Sequence, residues 1–118
     1  MAKVSMIKLT AKDVMSEAKK DEAGNLWTVR EIELNALEAF FVLAANMQRD
    51  IRKINVCFDL IQEVKAITDE MDSFKITGTD LKELLIPAIE KMVDSRPPFW
   101  FYARNMFKSI EKPEEIEV

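Results

Sequence analysis

The stretch TVREIELNALEAFFVLAANMQRDIRKINVCFDLIQEVKAITDEMD, residues 28–72, decides the fold because it contains neither proline nor glycine. Thr28 followed three residues later by Glu31 has the spacing of a capping box, which marks the first turn of a helix. Beyond this start, apolar residues recur at steps of three and four, which places them on one helix face. They are Leu37, Phe40, Ala44, Met47, Ile51, Ile54, Phe58 and Ile61. The stretch therefore predicts a long amphipathic helix.

The length of this helix raises the question of oligomeric state. A continuous helix over 31–72 would be roughly 60 Å long, about twice the diameter of a domain of this size. Either it breaks at the polar residues within 45–50, giving two antiparallel helices in a compact monomer, or it packs against another chain. Because neither glycine nor proline interrupts it, we favour the continuous helix and a homodimer. The expected self-association residues are Met47, Ile51, Ile54, Phe58 and Ile61, and Ile54→Asp is expected to disrupt the dimer.

A hexamer pattern occurs twice, as KLTAKD at 8–13 and KITGTD at 75–80. In each copy a threonine, Thr10 or Thr77, is suited to cap a helix, and an aspartate follows at the third helical position. The residues before each copy alternate apolar and polar, as in a short strand. The pattern therefore predicts two strand-to-helix junctions, with the two strands paired as a ribbon. The first helix is expected over 11–22, ending at the Gly24-Asn25 pair.

The C-terminal part predicts two further helices. The stretch 79–95 has a broad apolar face, and Pro87 inside it is expected to cause a kink or a break around 83–86. A last, aromatic helix is expected over 99–112, followed by a frayed acidic tail at 113–118. The fold class expected is thus mainly α: a helical bundle with one long helix and a short two-stranded β ribbon. We expect a single domain over 1–112.

The aromatic helix is also the strongest candidate for binding a protein partner. Phe101 and Tyr102 lie near Arg96 and Arg104, and clusters of aromatic residues and arginine are typical of interface hot spots. The alternative is that these rings close the core. The candidate partner-binding residues are Arg96, Trp100, Phe101, Tyr102 and Arg104.

Composition limits the other partners and the compartment. Seventeen basic and 21 acidic residues give a net charge of −4, which opposes general attraction to nucleic acid. The N-terminus lacks the apolar core of a signal peptide, and no stretch has the ~18 to 20 apolar residues needed to cross a bilayer. The lone Cys57 has no thiol with which to pair inside the chain. We therefore expect a cytoplasmic protein that does not contact a membrane.

The chain offers little material for catalysis. It contains no histidine, one cysteine and two glycines, which excludes His-dependent triads, thiolate zinc sites and glycine-rich phosphate loops within one chain. Its carboxylates do not follow metal-binding spacings. We expect a protein that is not an enzyme and that uses neither metal nor cofactor.

The segments FKITGTDLKELLIPAIEKM (74–92) and PPFWFYARNMFKSIEKPEE (97–115) resemble those of small acidic helical proteins encoded by bacteriophages and other mobile elements. The resemblance covers the last third of the chain. It implies an accessory, regulatory or assembly role carried by protein contacts.

Two functions follow as hypotheses. The first is a self-associating protein-interaction module. The second is a DNA-binding regulator that uses the basic helix face of Arg49, Arg52 and Lys53, or the N-terminal lysines. The N-terminal lysines are Lys3, Lys8, Lys12, Lys19 and Lys20.

Overall fold

A computed structural model describes residues 3–20, 26–92 and 103–117. The strands in chain order are β1 (Lys3–Lys8), β2 (Met15–Lys20), β3 (Leu26–Thr28), β4 (Ser73–Thr77) and β5 (Glu114–Glu117). The helices are α1 (Val29–Met47), α2 (Ile51–Lys65), α3 (Gly78–Asp80), a π-helical turn (Leu81–Leu85), α4 (Ile86–Met92) and α5 (Arg104–Glu111). The fold is mainly helical, as the sequence predicts, and it contains a small three-stranded antiparallel sheet and a separate two-stranded one.

The long helical stretch begins as predicted but is broken. Thr28 and Glu31 form the complete capping box that starts α1. The continuous helix that we favoured is wrong, because α1 ends at Met47 and Gln48 is extended. Asp50 then caps α2 by accepting a hydrogen bond from the backbone N–H of Arg52 at 2.9 Å. A new helix can therefore start here without glycine or proline, since the Asp50 carboxylate satisfies a free helical N–H.

The two long helices form an antiparallel hairpin. The guanidinium of Arg30, in the first turn of α1, donates to the carbonyl oxygens of Thr68 and Asp69, both at 3.3 Å, just beyond the end of α2. Farther along the hairpin, the Lys65 ammonium lies 3.4 Å from the Glu38 carboxylate. The start of one helix thus lies beside the end of the other, which is the broken-helix alternative from the sequence.

The predicted ribbon is present, and it has a third strand. β1 pairs with β4 in antiparallel register, with Ser5 opposite Ile76 and Ile7 opposite Phe74. β5 pairs with the other edge of β1, so the expected acidic tail at 113–118 is instead largely a strand. Its acidic residues match the lysines of β1, with ion pairs of 3.8 Å from Lys3 to Glu115 and from Lys8 to Glu114. Backbone pairing and opposite charge therefore order β5, a segment that its composition alone predicts to be frayed.

The two copies of the hexamer pattern have different structures. Thr77 caps α3, accepting the backbone N–H of Asp80 at 3.2 Å, as predicted. The helix expected over 11–22 is wrong: Met15–Lys20 is strand β2 and pairs with β3. Thr10 does not cap a helix there, because its N–H and hydroxyl both donate to the Glu33 carboxylate. A tertiary contact therefore overrides the local capping pattern.

Pro87 is accommodated by a wider helical turn. The π-helical turn Leu81–Leu85 precedes it, and the backbone N–H of Ile86 bonds to the carbonyl of Leu81, five residues back. Proline lacks an N–H and crowds the carbonyl four residues before it, so a local widening relieves both problems. In place of the kink or break predicted around 83–86, the structure has a wide turn within a helical run that extends to Met92.

The core lies between α1 and one face of the sheet. Ile7, Phe74 and Ile76 point from that face toward α1, and the rings of Phe41 and Phe74 lie 5.8 Å apart. On the same helix, the Phe40 ring meets Phe107 of α5 edge-on at 5.7 Å. α1 thus connects the sheet to the C-terminal helix, which leaves the outer sides of the hairpin for solvent.

Candidate interaction surface

The residues predicted for self-association divide into two groups in the structure. Ile61 is buried in the core and does not reach the surface. Met47, Ile51 and Phe58 are exposed, with 72% of Ile51 and 53% of Phe58 accessible, and Ile54 is half-buried. Four of the five residues therefore lie at least partly on the surface of one hairpin, although the continuous helix that was to present them does not exist.

Helical spacing places the exposed side chains on one side of the hairpin. Ile51 and Phe58 are seven residues apart, and Phe58 and Lys65 are also seven apart, so all three share one side of α2. Lys65 pairs with Glu38, and the exposed Val42 is one turn beyond Glu38 on α1. We call the apolar surface made by Val42, Met47, Ile51, Ile54 and Phe58 the hairpin face.

Charged residues beside the hairpin face are separated along α2. Arg52 and Lys53 lie in the first turn of the helix and Arg49 just before it, whereas Asp59 and Glu63 lie in its second half. All five are exposed. No acidic side chain occurs in the first turn of α2, where the helix dipole favours negative charge, and Asp50 at the cap is the only carboxylate there. The positive end of α2 therefore has an excess of positive charge.

The predicted partner-binding residues fall mostly outside the described part of the chain. Arg96, Trp100, Phe101 and Tyr102 belong to 93–102, which the structure does not describe, and Arg104 is exposed at the start of α5. The described remainder of this helix faces inward, since Ala103, Met106 and Ile110 are buried.

Grooves flank the hairpin on two of its sides. One of about 660 Å³ runs along the outer side of α1 to the end of α4, between Val42 and Met92. The other, about 380 Å³, lies between α2 and the sheet, with Asp59 and Glu63 on its α2 side and Lys75 on its sheet side. Within the described residues, no three or more acidic or cysteine side chains are grouped as a metal ion would require. None of the described helices has the length and apolar character to span a membrane.

Sequence reasoning missed one buried polar cluster. Glu33 is fully buried, and its two carboxylate oxygens accept bonds from the Thr10 N–H at 2.7 Å and the Thr10 hydroxyl at 2.8 Å. Burial raises the pKa of Glu33, although the Thr10 bonds and the charge of Arg30 act in the opposite direction. The steps 33, 37, 40 and 44 were a usable signal, because they place this glutamate in the buried stripe of α1. Both oxygens are occupied within the chain, so the group anchors the segment after β1.

Comparison with protein-family models, curated proteins and solved structures found no match to the chain.

Proposed function

We propose that this chain is a non-enzymatic protein-interaction module that forms a homodimer through the hairpin face, in an accessory, regulatory or assembly role. The observation that carries the proposal is the exposure of Ile51 and Phe58 on one side of α2. Contiguous exposed apolar residues with a polar border mark interaction sites in proteins that are otherwise well packed. The same residues follow from the helical spacing of the sequence.

The expected strength of the dimer follows from the size of the hairpin face. Fully burying an Ile or Phe side chain is worth about 1.5 to 3 kcal/mol, and a two-fold interface buries each residue twice. This gain is opposed by an association cost of about 4 to 15 kcal/mol. α2 has 15 residues and is about 22 Å long, so its face is smaller than the ~800 Å² per partner of a stable interface. We therefore expect a dimer that dissociates in the micromolar range.

Phe58→Asp is expected to abolish dimerisation without unfolding the chain. Two carboxylates would be buried in the two-fold interface, whereas in the monomer the side chain is exposed. The measurement is the mass by light scattering over a range of concentrations, where the wild type approaches twice 13.6 kDa and the variant stays at one chain. Phe58 is a cleaner position than Ile54, because Ile54 is half-buried and Ile54→Asp would also disturb packing.

The control is Val14→Asp, which introduces the same carboxylate at an apolar side chain exposed to a similar degree and outside the hairpin face. This variant should dimerise like the wild type. A wild-type chain that stays monomeric at every concentration, or a Phe58→Asp dimer of unchanged strength, would refute the proposal.

A cytoplasmic setting is part of the proposal. It is supported by the single cysteine, Cys57, which is buried in α2 as a reduced thiol. Free buried thiols are common in reducing compartments.

A second candidate function is binding to DNA, which the exposed cations at the start of α2 favour. Arg49, Arg52 and Lys53 lie where the hairpin turns, and a helix beginning with cations can contact phosphates. The net charge of −4 acts against it, as does the antiparallel hairpin, since helix-turn-helix motifs cross at about 90 to 120°.

The chain is therefore not expected to shift the mobility of duplex DNA in a gel assay, even at low salt. A shift that weakens steeply with added salt, and that Arg52→Ala and Lys53→Ala both reduce, would favour the DNA-binding function instead. The exposed Lys82→Ala is the control for the loss of one positive charge elsewhere.

A further inference from the structure

The charges of α2 are arranged so that the helix complements an inverted copy of itself. Arg52 and Asp59 are seven residues apart, so they lie on the same side of the helix with opposite charge. Arg49 and Glu63 continue this separation of charge, with basic residues toward the start of α2 and acidic residues toward its end. In the described part of the chain, none of the ion pairs uses Arg49, Arg52 or Lys53.

The cations at the start of α2 are locally unfavourable. A positive side chain in the first turn of a helix is repelled by the helix dipole, and Arg52 and Lys53 both lie in that turn. The Asp50 carboxylate at the cap offsets part of this repulsion, and a carboxylate supplied by a second chain would offset more of it. Places where a sequence violates a local rule in this way are often functional.

A stripe of uncharged residues runs beside these charges. Ile51, Asn55, Phe58 and Gln62 follow steps of four, three and four, which is the spacing of a two-helix contact. Arg52 and Asp59 border this stripe on one side. A second α2 packed on the stripe would therefore place its own Arg52 or Asp59 beside that border.

We propose that the partner of the hairpin face is a second copy of this chain, bound with α2 antiparallel to α2, so that Arg52 of each copy pairs with Asp59 of the partner subunit. A parallel two-fold arrangement would place Arg52 and Asp59 on the opposite side of the contact from the same residues of the partner subunit, so neither ion pair would form. The antiparallel arrangement forms the ion pair twice. Its two-fold axis passes near Asn55 and Val56. Measured along the helix, Ile51 then lies about 3 Å from the level of Phe58 of the partner subunit. This arrangement rests on the proposed function and specifies its geometry.

The test reverses each charge alone and then both together. Arg52→Asp and Asp59→Arg should each weaken dimerisation about tenfold or more, because each replaces two attractive pairs with two repulsive ones. The double variant Arg52→Asp/Asp59→Arg restores both pairs with the signs exchanged, and its dissociation constant should return to within about threefold of the wild type. Both positions are exposed, so the variants should fold. The readout is sedimentation equilibrium at low and high salt.

The control is Lys82→Asp, which changes the net charge by the same amount as Arg52→Asp at an exposed position outside α2. It should leave the dimer at wild-type strength. A dimer that Phe58→Asp abolishes but that neither single reversal weakens would overturn the antiparallel arrangement and leave the proposed function standing. Failure of the double variant to recover would also overturn it. A wild-type chain that never dimerises would overturn both.

Discussion

Replacing Phe40 with alanine is expected to lower the free energy of unfolding by about 3 to 5 kcal/mol. Phe40 is fully buried in the middle of α1, and its ring packs edge-on against Phe107 at 5.7 Å. The substitution removes apolar surface from the core and leaves a cavity that two neighbouring elements would have to fill. The measurement is urea unfolding followed by circular dichroism, with the difference in midpoint converted at constant slope.

Phe58→Ala is the matched control for this loss. It makes the same chemical change on the neighbouring helix at a side chain that is about half accessible, so the monomer should lose much less stability, roughly 0.5 to 1 kcal/mol or less. The measurement uses chain concentrations at which the protein is monomeric. Equal losses for the two variants would mean that Phe58 contributes to the core, and that the hairpin face is not an available surface.

The contrast between these phenylalanines shows what helical spacing can and cannot specify. Both belong to the stripe of apolar residues that predicts the long helix. The stripe continues across the break at Gln48–Asp50, where the chain reverses, so its second half no longer faces the same neighbours. Ile61 turns toward the core, while Ile51 and Phe58 turn outward. Periodicity predicted the helices, but the direction of each face depends on the turn.

The sequence wrongly predicted a helix where β2 lies and a frayed tail where β5 lies, and both errors have the same physical cause. Each copy of the repeated hexamer has the same local capping chemistry, yet only Thr77 caps a helix. Thr10 is held by Glu33, 23 residues away in sequence, and Glu114–Glu117 is held by β1 from the opposite end of the chain. Contacts of that separation leave no local signal. They could be predicted only once α1 and the sheet were known to be adjacent.

Glu33 shows how such a distant contact is stabilised. A buried carboxylate is unfavourable unless its oxygens are hydrogen-bonded. Thr10 provides both bonds, and Arg30 in the preceding turn of α1 provides a positive charge while its own guanidinium donates to two carbonyls beyond α2. The first turns of α1 therefore hold two connecting segments, the one after β1 and the one after α2. The orientation of the hairpin face relative to the sheet depends on both.

Glu33→Ala is expected to lower the free energy of unfolding by about 2 to 4 kcal/mol, because the N–H and hydroxyl of Thr10 would lose their partner and a cavity would remain. Glu33→Gln is the matched variant. Its amide oxygen can accept from the Thr10 N–H, and its amide nitrogen can donate to the Thr10 hydroxyl. It also removes the charge, so it should be neutral or slightly stabilising at neutral pH. Similar losses for both variants would mean that the charge itself, through Arg30, is what stabilises the site.

The pH dependence of stability should differ between the wild type and Glu33→Gln in a defined direction. Burial raises the pKa of Glu33 above its ordinary value of 4.5, so the folded chain binds this proton more tightly than the unfolded chain. The contribution of Glu33 to stability is therefore greatest below the unfolded-state pKa, and it falls as the pH rises through the folded-state pKa. The free energy of unfolding of the wild type minus that of Glu33→Gln should rise as the pH is lowered from 7 toward about 4 and then level off. Protonation does not release Thr10, because a neutral carboxyl can donate to its hydroxyl while the other oxygen still accepts its N–H. A difference that falls with decreasing pH would show that the Thr10 bonds and Arg30 outweigh burial, and that the carboxylate is favoured in the folded state.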